Sequence, residues 1–585
     1  MKSLYKNFKL VSAFIFLLLF FSCNKKLTET NISPNALNAE QVDPGFVMTD
    51  VLSRSAMEMV LAGFAGNTSQ CIIDATMQYV QQDQGEGVSI KNTFGWKGRG
   101  WGYRNFYLPL ANSNYLGKRA KDSRDSTFLR GVSLTMQGYW FGYNTSGWGD
   151  VPFSEAMRGE DNILKPVYDG QKDVFKGILS YLDEANDAFS NIQAVSEFTR
   201  SADIMFNGDT HKWRAFANSL RLRFLMRLSE KTNEMKDIGV DVKAEFNKMV
   251  SDPGRYPVIL NSADNAIVRL PGTSASDSYP LGAFNQKTED PYRRQKPGAP
   301  FVNFLKEMRD PRLTVWLKPV DVPTIIEDKG GDKVIMTGSD GKVKRFLKNF
   351  QEDVDTSLFV GLPIALANPD NYNGNSGNDR SVIRNLDPSI YNGGAANPFV
   401  SYFAPMFREN KSPYLPGVFL TATEVNFILA EAAVRGWITG SAGDYFRQGI
   451  LASLKQYNVN DGDMRVYNPE THQIEAYKQD DFLNSMTDRL NNATDKLLPI
   501  MEQKWVALFT TIEAWFDWRR TGYPDLGKNL VNGPQGEKIP VRFYFGDSEK
   551  NFNEDNVNKA IQNLEPAVDD QWSKMWLLRG TGKPW

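Results

Sequence analysis

The sequence predicts a mostly α-helical protein, an irregular helical-repeat scaffold into which a loop-rich lobe containing short strands is inserted. Three observations lead to this class. Apolar residues return at steps of three and four in many stretches, which is the period of a helix that buries one face. Pro, Gly and Asn concentrate between residues 252 and 420, where they break that period. Finally, the helical stretches 422–436 and 442–456 are separated only by Gly436-Trp437-Ile438-Thr439-Gly440, as a helix-turn-helix requires.

Taken from the start, Lys2, Lys6 and Lys9 precede an apolar run from Leu10 to Phe21, and no acidic residue occurs before Glu29. That is the charged region plus apolar region of an export signal, and it is short for a bilayer span. The run stops at Ser22-Cys23, which resembles a bacterial lipobox, so residues 1–22 are expected to be a lipoprotein signal peptide and Cys23 the lipidated residue. Residues 23–40 are polar and aperiodic and are expected to act as a tether. The body is then 41–585, with helical repeats at about 41–250 and 420–520 and a ligand lobe at about 252–420. Cys71 is expected to be a small buried apolar residue.

Within the body, Val174, Ile178, Tyr181 and Ala185 form one stripe, and Trp213, Phe216, Leu220, Phe224 and Leu228 form another. Arg221, Arg223 and Arg227 lie off the second stripe and read as a solvated or ion-paired flank. The strongest periodicity runs through Leu498, Met501, Trp505, Leu508, Ile512 and Trp515, which predicts one core helix over 498–515. Further helices are expected near 47–64, 104–121, 128–143, 167–190 and 298–308. Paired helices of this kind suggest tetratricopeptide-like units of about 34 residues. Three units cannot be aligned on one consensus, so irregular stacking is expected.

Composition excludes several functions. Lysine plus arginine number 67 against 69 aspartates plus glutamates, which leaves no net field to attract nucleic acid. Two cysteines and two histidines cannot build a disulfide framework or a histidine- or cysteine-rich metal centre. No cofactor or metal is expected. The stretch Asp370 to Asp379 alternates oxygen-bearing side chains as a calcium loop does, but its glycine is displaced and Val382 stands where a closing Glu is needed. It reads as a turn-rich loop. No nucleophile elbow, zinc-protease helix or P-loop occurs. Glu513 and Asp517, four apart beside Arg519 and Arg520, read as a structural ion-pair cluster rather than a hydrolase pair.

Several segments carry a family resemblance. Tyr139 to Ala156, with Gly149-Asp150-Val151-Pro152 inside it, resembles the helix end and turn of the SusD/RagB family, the surface nutrient-binding lipoproteins of Bacteroidota outer membranes. Tyr168 to Phe175, Gly208 to Trp213 followed by Phe216 to Arg221, Glu424 to Ala433, Glu502 to Trp505 and Glu513 to Pro524 are similar to its further motifs in the same order, and Arg309 to Leu313 adds a smaller similarity. The resemblance implies four irregular tetratricopeptide-like helix pairs carrying a variable loop-rich lobe. It implies a lipid-anchored outer-membrane protein, facing the cell exterior, that is not an enzyme. Such a protein captures an oligosaccharide or a peptide and delivers it to a SusC-like TonB-dependent barrel. A surface glycosidase and a helical scaffold without a small ligand are the alternatives.

A sugar ring has an apolar C–H face and a polar rim, so its site needs exposed aromatic platforms beside hydrogen-bonding groups. Aromatic residues make up 12% of the chain. In the stretch Phe94 to Tyr103, glycines alternate with aromatics, which places Trp96 on a loop and makes it the expected platform. Trp101 and Tyr103 follow it; for Trp101 the other reading is that it and Phe106 start the next helix and belong to the core. Tyr279, Tyr292 with Arg293, Tyr372 with Asn373, and Tyr391 complete the expected ligand contacts.

Overall fold

The computed structural model describes residues 42–64, 72–97, 103–391, 397–583 and 585. Cys23, Cys71 and Trp101 lie outside the described residues. About half of the fold is helix, and its strands form only small sheets.

The first helical part comprises α1 (Pro44–Gly63), α2 (Tyr103–Ala120), α3 (Ser126–Trp148), α4 (Gln171–Ser190), α5 (Thr210–Arg227) and α6 (Val242–Ser251), with β1 (Val80–Gln82) between α1 and α2. Aspartates start three of these helices. Asp43, Asp209 and Asp241 each accept a first-turn amide, which satisfies a donor that the helix itself leaves free. Each of α1 to α4 packs on its successor. A Cβ on Gly131 would meet the Phe189 ring at 2.7 Å and one on Gly138 would meet Leu182 at 3.0 Å, so both glycines permit the close approach of α3 and α4. The partner number falls as the glycine number rises, so the two helices run antiparallel. At the end of α3, Gly149 takes a φ of 98° and the following Asp150 accepts from the Gln171 amide at 2.9 Å and from Asn563 Nδ2 at 2.7 Å. The Gly-Asp-Val-Pro turn therefore ends one helix, starts the next and fixes the C-terminal segment.

The lobe contains β2 (Ala266–Val268), β3 (Gln295–Pro297), α7 (Ala299–Glu307), β4 (Leu317–Lys318), β5 (Thr324–Ile326), β6 (Lys333–Thr337), β7 (Val343–Leu347), α8 (Gly377–Leu386), β8 (Tyr402–Phe403) and β9 (Gly417–Leu420). Its largest sheet has the order β5-β7-β6, with β5 parallel and β6 antiparallel to β7. The antiparallel pair β4 and β8 aligns Leu317 with Phe403 and Lys318 with Tyr402, and the Val322 amide donates to Pro398 O at 3.1 Å. Between those contacts the chain builds a second small core from Val322, Val343, Ile383, Ile390 and Phe399, distinct from the main one.

After the lobe come α9 (Ala422–Val434), α10 (Ala442–Gln456), the hairpin β10 (Met464–Asn468) and β11 (Gln473–Ala476), α11 (Gln479–Asn492), α12 (Leu497–Ala507), α13 (Glu513–Thr521) and α14 (Glu554–Gln562). The single helix expected over 498–515 is in fact two, because Thr510 takes a φ of 77° between α12 and α13. The break has a packing reason. It lets Phe509 enter an aromatic cluster with Phe64, Phe301, Trp316, Phe403 and Phe407, at centroid separations of 5.1 to 5.9 Å. That cluster joins both helical parts to the lobe.

The three arginines of α5 are ion-paired, and they are buried rather than solvated. Arg221 pairs with Asp183 and Glu245, Arg223 with Glu424, and Arg227 with Glu513. Asp517 pairs with Lys504 at 2.6 Å and Arg520 at 2.9 Å, while Arg520 also holds Glu431. Arg519 takes no part in these ion pairs. It donates to Ser146 O at 2.6 Å and lies 3.9 Å over the Trp515 ring.

Candidate functional site

The expected platform, Trp96, is not exposed. It is 1% accessible and packs against Trp515 and Phe543 at centroid distances of 6.3 and 6.0 Å. The glycines beside it serve a close approach instead. The Gly95 amide donates to Ser89 O at 2.9 Å, and a Cβ there would sit 2.6 Å from the same oxygen. The loop thus bends inward, and Gln571 holds it by donating to Phe94 O at 2.6 Å. Tyr103 opens α2.

Three further expectations are corrected by burial. Tyr279 donates its hydroxyl to Phe64 O and Tyr292 donates to Phe403 O, so each ring is buried and each phenol satisfies a buried carbonyl. Arg293 is buried, pairs with Asp321 at 2.5 Å and lies 4.2 Å from the centroid of Tyr402. Tyr391 is half-buried against the second small core, with the Arg384 guanidinium 5.4 Å from its ring centroid.

Tyr372 and Asn373 do come together, at a cleft of about 750 Å³ in the lobe. One wall comes from the chain leaving β7 and carries Phe350, Glu352, Asp353 and Asp355; the other comes from residues 366–374. Phe350 is 68% exposed, which is unusual for a phenylalanine and leaves its ring face free for an apolar ligand surface. Beside it, Tyr372 is half-buried, and burial, reinforced by Asp355, holds its phenol above the ordinary value. It is therefore a neutral hydrogen-bonding group at physiological pH.

The walls are built by side chains bonding to main chain. Asn373, at a φ of 59° that Asn tolerates, accepts from the Asp355 amide at 2.8 Å and donates to Asp355 O and Phe399 O at 3.1 and 2.9 Å. It is a framework residue of the cleft floor. Asn375 donates to Asp370 O at 2.7 Å, and Asn397 to Tyr372 O at 2.8 Å. Arg345 on β7 donates to Asn373 O at 2.7 Å and thereby ties the sheet to the opposite wall. With these asparagines committed, Asn368 and Asn371 remain exposed at the cleft. An apolar ring face bordered by amide and carboxylate groups matches the two-sided chemistry of a sugar.

Sequence reasoning missed Phe350. Its signal was present, since it is a lone aromatic in the polar run Lys348-Asn349-Phe350-Gln351-Glu352-Asp353 and belongs to no helical or strand period. A second cleft of about 750 Å³ lies between α2, α3 and α4. Among the described residues no aromatic side chain lines it, and its Lys118 and Arg130 pair with Glu160 and Glu184.

Comparison with known proteins adds to this geometry. A family model described as "Starch-binding associating with outer membrane" matches residues 34–366, and one described as "Susd and RagB outer membrane lipoprotein" matches residues 382–578. No curated protein matches the chain. Among solved structures, a SusD homolog from Bacteroides fragilis NCTC 9343 is 23% identical with a TM-score of 0.68, covering 92% of this chain and 100% of its own. Another SusD homolog from the same strain is also 23% identical, with a TM-score of 0.65 and coverage of 93% and 100%. A protein described as chitin-binding is 21% identical, with a TM-score of 0.66 and coverage of 91% and 99%. These likenesses establish a shared fold.

Proposed function

The chain belongs to the SusD/RagB family of outer-membrane lipoproteins, and from that premise we propose that it captures an oligosaccharide in the cleft between Phe350 and Tyr372 and passes it to a SusC-like TonB-dependent barrel. The observation that carries the ligand assignment is the exposed Phe350 ring at the cleft, flanked by the exposed side chains of Asn368 and Asn371. Cys23 is the anchor in this reading, and residues 24–40 are the tether that holds the body off the lipid. Among the described residues no helix is long and apolar enough to cross a membrane, which fits attachment through a lipid.

A binding role is favoured over hydrolysis because the carboxylates that stand four apart on α13 are committed, Glu513 to Arg223 and Arg227 and Asp517 to Lys504 and Arg520. The test is a thermal-shift and calorimetric screen of residues 24–585 against oligosaccharides, with N-acetylglucosamine oligomers included because one structural neighbour is described as chitin-binding. Ligand at 100 times its Kd stabilises the folded state by about 2.7 kcal/mol, so a hit is readily seen. Binding confined to peptides would retain the transport role and remove the sugar assignment.

A further inference from the structure

Arg345 on β7 is buried beneath the cleft, and among the described residues no carboxylate forms an ion pair with it. Two of its nitrogens are used: Nε donates to Thr324 Oγ1 at 2.9 Å and Nη1 to Asn373 O at 2.7 Å. Nη2 has no hydrogen-bond partner among the described residues, and the guanidinium carbon lies 3.8 Å from the centroid of the Phe399 ring. Burial lowers its pKa from 12.5 to about 10, with Asp379 and then Asp353 opposing, so it stays charged at physiological pH. Asp379 is already held by Lys333 at 2.9 Å. A desolvated cation of this kind remains costly until a counter-charge reaches it.

The chain that carries Phe350 passes beside this cation. Gly374 marks the place, since a Cβ on it would lie 3.1 Å from Arg345 Nη1 and 3.6 Å from Val354 Cγ2, so the guanidinium and Val354 flank the same glycine. The residue before Val354 is Asp353, which lines the cleft, is exposed and has no ion-pair partner among the described residues. Residues 348–356 form neither helix nor strand. Asn373 grips both main-chain groups of Asp355 and thereby fixes the far end of this strap, which leaves movement to the part with Phe350 and Asp353.

Water decides when Asp353 and Arg345 come together. In the empty cleft the carboxylate is hydrated, and giving up that hydration offsets what a pair would return. A ligand on Phe350 displaces the water and lowers the local dielectric, and the same two charges then attract several times more strongly. We infer that Arg345 is the catch of a latch: when a sugar occupies the cleft, the strap folds inward, Asp353 pairs with Arg345 through Nη2, and Phe350 is drawn onto the ligand opposite Tyr372. The latch rests on the carbohydrate reading of the cleft.

The experiment is stopped-flow binding to residues 24–585 with hexamers of N-acetylglucosamine and of α-1,4-linked glucose, since similar proteins are described as chitin-binding and starch-binding. Asp353→Asn, at an exposed position, should speed dissociation of a bound hexamer by about fivefold or more, change association by less than about twofold, and leave unfolding of the empty protein as it is. Hydrogen exchange at amides 349–353 should slow when the hexamer binds the parent and slow less in the variant. In an Arg345→Gln background, Asp353→Asn should add nothing to the dissociation rate. Additive effects would mean that Asp353 touches the ligand itself, and they overturn the latch, as does a dissociation rate that Asp353→Asn leaves untouched. Easier unfolding of the empty variant overturns it too, because the pair would then exist without ligand. All three results leave the carbohydrate reading standing. If neither hexamer binds, that reading falls and the latch falls with it.

Discussion

Arg223 on α5 and Glu424 on α9 face each other through two parallel hydrogen bonds, Nε to Oε1 and Nη2 to Oε2, both 2.6 Å, with both side chains buried. The pair joins a helix that precedes the lobe to one that follows it. Removing Glu424 leaves Arg223 only its longer pair with Glu513 at 3.4 Å, and removing Arg223 leaves Glu424 without its bidentate partner; breaking a buried pair in this way costs about 3–5 kcal/mol, whereas replacing both by apolar groups costs much less. Glu424→Leu alone should therefore lower the unfolding midpoint sharply, and adding Arg223→Met should restore part of it. Denaturant melts of the two single variants and the double variant check this, and purely additive losses would contradict the pairing argument.

Trp96→Ala is expected to behave as a core deletion. Its indole fills space between Trp515 and Phe543, so truncation should cost about 3–5 kcal/mol in urea unfolding. Affinity measured on the folded fraction should change little. A variant with unaltered stability and lost binding would return Trp96 to the ligand.

Phe350→Ala should do the reverse. Loss of a stacking platform weakens binding by about 1–2 kcal/mol, while an exposed side chain contributes within about 0.5 kcal/mol to stability. Tyr372→Phe separates the phenol hydroxyl from the ring, and a smaller loss of affinity than for Phe350→Ala is expected by titration calorimetry.

Glu58 on α1 gives a pH signature. Burial pushes its carboxyl up from 4.5 to about 7, with Arg54 opposing. A raised folded-state value means that folding takes up a proton between those two values, so the contribution is fully present below 4.5 and is lost as pH rises through about 7. Glu58→Gln, which stays neutral, should match the parent at about pH 4 and exceed it at about pH 8 by on the order of 1–3 kcal/mol. Melting temperatures at the two pH values decide the point.

The helices were legible because their stripes are local: Val174 to Ala185 lies within α4, and Trp213 to Phe224 within α5, as their spacing requires. The break at Thr510 was hidden because the apolar stripe continues through it from α12 into α13, while its cause, the pocket for Phe509, is assembled from residues such as Phe64 and Phe301 far away in sequence. Trp96 was misread for a related reason. Flanking glycines identify a loop, but Trp515, Phe543 and Gln571 decide which way it bends. Tyr372 was found because its asparagine neighbours mark a turn. Phe350 was overlooked because its signal, a lone aromatic in a polar run, has no period, and it has an asparagine on one side only where Tyr372 has one on both.

The two-residue ladder between β4 and β8, with the bond from Val322 to Pro398, brings the start and the end of the cleft-bearing segment side by side, over a small core of its own. The segment is also sewn to the rest of the protein between its ends: Phe359 packs on Tyr467, Ile364 O accepts from the Val531 amide at 2.9 Å, and the Ala365 amide donates to Gln81 at 3.1 Å. Changes of length are expected instead at the exposed turn between β6 and β7, which carries none of these ties, so the segment can grow there while its seams with the frame stay in place.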